Sequence, residues 1–103
     1  MTGDAFRAMA LALPGTREAP HFDRTAFRAK RIFATLAADR ASVNLMLTPD
    51  EQAHYCDLMP DIFAPLANAW GAKGATSAAL GTSDPDDLAG ALRAAWLRAG
   101  GTD

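Results

Sequence analysis

Apolar and polar positions alternate most regularly between Arg24 and Leu47, where Val43, Leu45 and Leu47 are separated by Asn44 and Met46 behind Ser42. A two-residue period predicts a strand with one buried face and one face left to solvent or a partner. Ile32-Phe33-Ala34-Thr35-Leu36 predicts a second strand, and the run from Thr25 to about Phe27 a third. Ala29-Lys30-Arg31 and Ala38-Asp39-Arg40-Ala41 are short enough for hairpin turns, although neither holds the Gly or Asn that the favoured two-residue turns use. Ahead of them Thr16 to Asp23 is extended, Pro20 confines any strand there to an edge or a bulge, and Asp23-Arg24 reads as a turn.

The flanking segments switch to a helical period. Phe6, Met9, Ala10 and Leu13 follow the i, i+3, i+4, i+7 spacing, with Thr2 as the cap and Pro14-Gly15 as the stop. Thr48-Pro49-Asp50-Glu51 is a capping box with proline at the first helical position, so a second helix starts at Pro49 and runs to about Met59, before Pro60. Asp61 to Gly74 reads as irregular, and Ala75 to Leu80 as a strand. Asp84-Pro85-Asp86-Asp87 opens a last helix whose apolar stripe is Leu88, Leu92, Ala95, Trp96 and Ala99, ended by Gly100-Gly101. The prediction is one α+β domain over 1–103: an antiparallel sheet with helices packed on it, in the order α-β-β-β-β-α-β-α. Half the residues are apolar, many of them alanine, so the core should lean on Phe6, Phe27, Phe33, Phe63, Trp70 and Trp96.

Charge and cysteine content narrow the setting. The single cysteine, Cys56, cannot form an internal disulfide, and no apolar run has the length of a membrane span or a leader, which predicts a cytoplasmic protein with no membrane partner. A formal net charge of −2 gives no global positive field, so contact with nucleic acid needs a local basic patch.

Candidate chemistry is sparse. His54 and Cys56 lie two apart on a predicted helix and so face different directions, and His21 is in the edge segment. His21, His54 and Cys56 lack the paired spacing of a metal site. Asp84, Asp86 and Asp87 suit a helix start, and Gly71-Ala72-Lys73-Gly74 is too short for a phosphate loop. The expectation is a non-enzymatic protein with no metal and no cofactor. What remains is a basic cluster: Arg24, Arg28, Lys30 and Arg31 around the first hairpin, Arg40 at the second, and Lys73 between glycines. Such tips suit phosphate contacts on a duplex, but the residues alone favour solvated turns that keep edge strands from aggregating.

With these residues in view the chain resembles the MmcQ/YjbR family. The resemblance rests on Leu13-Pro14-Gly15-Thr16 with Glu18, Phe22, Phe27-Arg28, Lys30 and Ile32 to Leu36. It continues through Asn44-Leu45, Pro60, Phe63, Trp70-Gly71 and the helix from Leu88 to Trp96. It implies a small α+β domain of double-wing architecture, similar to the CyaY fold, in a family commonly described as DNA-binding on the strength of that fold. The chain departs from the pattern at Ala29 and Arg31, where relatives often have glycine, and at Ala75, where many have tryptophan. The favoured expectation is therefore a binding module for DNA, with Arg24, Arg28, Lys30, Arg31 and Lys73 on phosphates. The alternative is a small-ligand or protein-interaction domain in which His21, Asn44 and Trp70 border a groove on the sheet face. Convergence of the basic residues on one face favours the first, and a concave site with a few polar groups favours the second.

Overall fold

The computed structural model describes residues Met1–Asp103. Its elements are α1 (Gly3–Ala12), β1 (Arg17–His21), β2 (Arg24–Arg28), β3 (Ile32–Leu36), β4 (Ser42–Met46), α2 (Pro49–Leu58), β5 (Phe63–Pro65), α3 (Ala69–Ala72), β6 (Ala75–Ala79) and α4 (Pro85–Arg98). The expected order holds, with β5 and α3 as additions inside the stretch read as irregular. β5 is too short to show a period, and its Pro65 is tolerated because β5 is an edge strand paired only with β6. α3 is a single turn, capped by Asn68. A second correction concerns the first turn: it lies at Phe22-Asp23, and Arg24 already belongs to β2.

Helix ends follow the local chemistry. The Thr2 hydroxyl accepts from the Ala5 amide 3.0 Å away, and Thr48 and Glu51 exchange the two bonds of a capping box, at 3.2 and 2.9 Å. At the end of α4 the Gly101 amide donates to the Trp96 carbonyl and the Gly100 amide to that of Leu97. Gly100 sits at a φ of 93°, so these two bonds form a Schellman stop that a side chain there would strain.

All strand pairs are antiparallel, in the order β1-β2-β3-β4-β6-β5. α1, α2 and α4 pack on the same face. Phe6 and Ala10 of α1 and Leu88, Leu92, Ala95 and Trp96 of α4 share one apolar cluster with Phe27, Phe33, Val43, Leu45 and Phe63, and Tyr55, Cys56 and Met59 border it. Each large side chain so buried contributes about 1.5–3 kcal/mol by leaving water. Trp70, expected in this core, is 63% exposed instead.

The register carries the feature that shapes the opposite face. Phe27 pairs with Ala34 while Arg28 pairs with Ile32, leaving Phe33 as one extra residue on β3. This bulge lets Phe33 enter the core while Ile32 and Thr35, three apart, both reach the other face. Ala26, Thr35, Asn44 and Ser77 form a cross-strand row on that side, which the three longer helices leave open.

Candidate functional site

A hollow of about 540 Å³ occupies the open face. Ile32, Thr35, Asn44 and Met46 line it from β3 and β4, His21, Phe22 and Arg24 from the β1–β2 hairpin, and Leu66, Asn68 and Trp70 from the segment around α3. A second hollow of about 220 Å³ shares Ile32, Met46 and Trp70 with it and adds Arg31, Lys73 and Arg98. The two adjoin at the three shared side chains, and together they make a trough that runs from the open face to the sheet end beside the last turn of α4. It brings together all three groove candidates, His21, Asn44 and Trp70, along with Arg24, Arg31 and Lys73 from the basic set.

Each wall is held by a specific arrangement. In the turn, Phe22 adopts a φ of 58° and is 94% exposed, its ring edge-on to His21 at 5.0 Å between centroids. A large aromatic in the left-handed region is strained, so the turn displays this ring at a conformational cost. Arg24 folds inward: its Nε donates to the Thr35 hydroxyl at 2.8 Å and a terminal nitrogen to the Thr35 carbonyl at 3.1 Å. Its guanidinium is thereby fixed on the trough floor. On the floor beside it Asn44 is half-buried.

The opposite wall is tied at several points. The Asn68 side-chain oxygen accepts from the amides of Trp70 and Gly71, at 3.0 and 3.2 Å. From α2 the Gln52 amide donates to the carbonyls of Gly71 and Ala75, at 2.9 and 3.0 Å. Gly71 lies so close to the Leu66 backbone that no side chain fits. Trp70 thus projects from a rigid turn, with the Lys73 ammonium 5.2 Å from its ring centroid. At the same end the Arg31 guanidinium donates to the Arg98 carbonyl, and the Lys30 and Arg31 amides both donate to the Ala99 carbonyl, at 3.0 and 3.2 Å. These bonds tie the β2–β3 turn to the end of α4.

The remaining basic candidates lie elsewhere. Lys30 lines a separate hollow with Pro14, Gly15, Gly100 and Gly101, and Arg28 is exposed and donates to the Lys30 carbonyl at 3.3 Å. Arg40, in the turn between β3 and β4, pairs with Asp4 of α1. The five phosphate-contact candidates therefore do not converge on one surface. The trough also contains residues that sequence reasoning passed over: Phe22, Ile32, Thr35, Met46, Leu66, Asn68 and Arg98. Asn68 had a local signal, an Asx side chain just ahead of a turn. Ile32 had none, because its place depends on the bulge.

Cys56 lies away from the trough, and no three His, Cys, Asp or Glu side chains are placed together to hold a metal ion. Burial raises the Cys56 thiol above its ordinary value, with Asp57 adding to the effect, and burial followed by the Glu51 charge raises the Tyr55 phenol. Folding therefore favours the neutral forms of both. The stability this contributes is complete below the ordinary thiol range and is lost as the pH climbs through the raised folded values. The urea midpoint is expected to fall between neutral and strongly alkaline pH, and iodoacetamide to alkylate Cys56 more slowly than free cysteine at mildly alkaline pH. A midpoint that rises with pH, or faster alkylation, contradicts this assignment.

Residues 11–98 match the model of the YjbR family. The crystal structure of Deinococcus radiodurans protein DR2400, whose domain is designated DUF419, is similar at a TM-score of 0.76 and 21% identity, covering 94% of this chain and 77% of that one. At that identity the likeness concerns the fold. No curated protein matches the chain.

Proposed function

The chain belongs to the YjbR family, and we propose that it is a binding module without catalytic chemistry, whose ligand is anionic and lies in the trough on the open sheet face. One observation carries this reading. The trough has no carboxylate in its lining, while Arg24, Arg31, Lys73 and Arg98 line it together with His21. In a chain with 12 Asp and Glu against 10 Lys and Arg, that segregation makes the trough positive within a negative protein. A concave, low-dielectric wall strengthens such a local potential. The aromatic rims and the half-buried Asn44 add shape and hydrogen-bonding selectivity.

Contact with a duplex through hairpin tips is less well supported. It needs Arg24, Arg28, Lys30, Arg31 and Lys73 to face the same double helix, whereas Arg24 lines the trough, Arg28 lies outside it, and Lys30 lines a different hollow from Arg31. An amide NMR titration with inorganic pyrophosphate, a single-stranded DNA and a random duplex separates the two readings. At least one probe is expected to shift the amides of Ile32, Thr35, Asn44 and Met46 and the Trp70 indole, with an affinity that falls as salt is raised. Shifts confined to Arg28 and Lys30, or no shift from any probe, overturn the trough reading.

A further inference from the structure

We infer that the occupant of the trough is single-stranded nucleic acid, with bases stacked on Trp70 and Phe22 and phosphates held by Arg24 at one end and by Arg31, Lys73 and Arg98 at the other. This rests on the anionic-ligand reading of the trough and narrows it to a ligand class.

Three features point the same way. The two exposed large aromatic side chains, Phe22 at 94% and Trp70 at 63%, line the same hollow from opposite elements. Leaving large rings in water has no value for folding, and a strand of bases offers each a π-face. The cations are also spread along the trough. From Arg24 to Ile32 and Arg31 it follows the length of β2 and β3, five residues each. At about 3.3 Å of rise per residue that length is roughly 13 Å. A stacked nucleotide advances only about 3.4 Å, so more than one fits between the basic ends. Finally, Asn44 brings a half-buried side-chain amide to the floor, and an amide pairs with a base edge through both donor and acceptor, whereas Asn68 on the wall, its oxygen held by α3, adds a donor alone. A paired duplex hides the base faces and edges that these groups would meet, so the chemistry selects unpaired bases.

The test is fluorescence anisotropy with a labelled mixed-sequence single strand, its duplex, an abasic strand of equal length, and a free nucleoside monophosphate as competitor, at low and raised salt. The single strand is expected to bind at least roughly tenfold more tightly than the abasic strand or the duplex. Trp70→Ala should weaken it by roughly five-fold to a hundred-fold, the range for removing one stacking ring. Trp70→Phe should restore most of the affinity, and circular dichroism should show both variants folded, because the ring is mostly exposed.

Equal affinity for the abasic strand overturns the base-stacking inference while leaving the anionic trough standing. Full displacement of the strand by equimolar monophosphate overturns the multi-nucleotide site. An unchanged affinity in Trp70→Ala overturns the placement. If the single strand, the duplex, the abasic strand and pyrophosphate all fail to reach the trough, both this inference and the reading beneath it fall.

Discussion

Gly71→Ala is expected to destabilise the protein by about 3 kcal/mol and to remove Trp70 from the trough. A methyl group at this position would enter the Leu66 carbonyl group, 2.7 Å from its carbon and closer still to its oxygen. Both sides of that contact are backbone, so no rotamer change relieves it, and the chain at α3 or at Leu66 has to move. Overpacking of this kind costs about 1–3 kcal/mol before other losses. Movement of α3 also breaks the bonds from Gln52 to the Gly71 carbonyl and from the Gly71 amide to Asn68, each about 1 kcal/mol net. The urea midpoint should fall by about 1–3 M at the slopes usual for a small domain. Gly81→Ala is the control: an added Cβ there meets nothing within 4 Å, so its effect should stay within about 0.5 kcal/mol. Equal losses in the two variants would show that the Leu66 contact is not what holds α3. Because α3 presents Trp70, Gly71→Ala should also weaken anion binding under conditions where the variant is still folded.

Trp96→Ala carries the other large effect, a loss of about 3–5 kcal/mol. The ring is fully buried between α4 and the sheet, and the Arg93 guanidinium lies 5.3 Å from its centroid. Its indole nitrogen donates to the Pro14 carbonyl at 3.1 Å, tying the end of α1 to α4. Truncation leaves a cavity that the alanine-rich surroundings, Ala10, Ala95 and Ala99, are too short to fill, and it strands the Pro14 carbonyl. Small domains have about 5–15 kcal/mol in all, so this one ring accounts for a large share. Tm is expected to fall by about 4–8 °C for each kcal/mol lost. Trp96→Phe, which keeps most of the packing and loses the hydrogen bond, should fall between. A drop of only a few degrees for Trp96→Ala would mean that the ring is not an organising part of the core. The phenylalanine variant has a practical use, since it leaves Trp70 as the sole tryptophan reporting on the trough.

The sequence by itself determined most of the local architecture. Thr2, Thr48 with Glu51, and Gly100-Gly101 act through bonds spanning a few residues, so the ends of α1, α2 and α4 were legible from the chain. The alternation of Val43, Leu45 and Leu47 with Asn44 and Met46 states directly which face of β4 is buried. Family and fold class were legible for a related reason: the ordered set of motifs from Leu13 to Trp96 spans the residues of the family match.

Three things were decided only in the folded molecule. Strand order places β6 between β4 and β5, and nothing local encodes a pairing across that distance. The bulge at Phe33 reverses the side of Ile32, because a single extra residue changes the face of a neighbour without altering composition. Trp70 looks like core by type, yet Asn68, Gln52 and Gly71 hold it outward through contacts with α2 and with the Leu66 backbone. The trough exists where these three meet. Its parts come from β1 through β4, α3 and the end of α4, and residues so far apart in sequence become one surface only when burial of the opposite face fixes the strands that carry them.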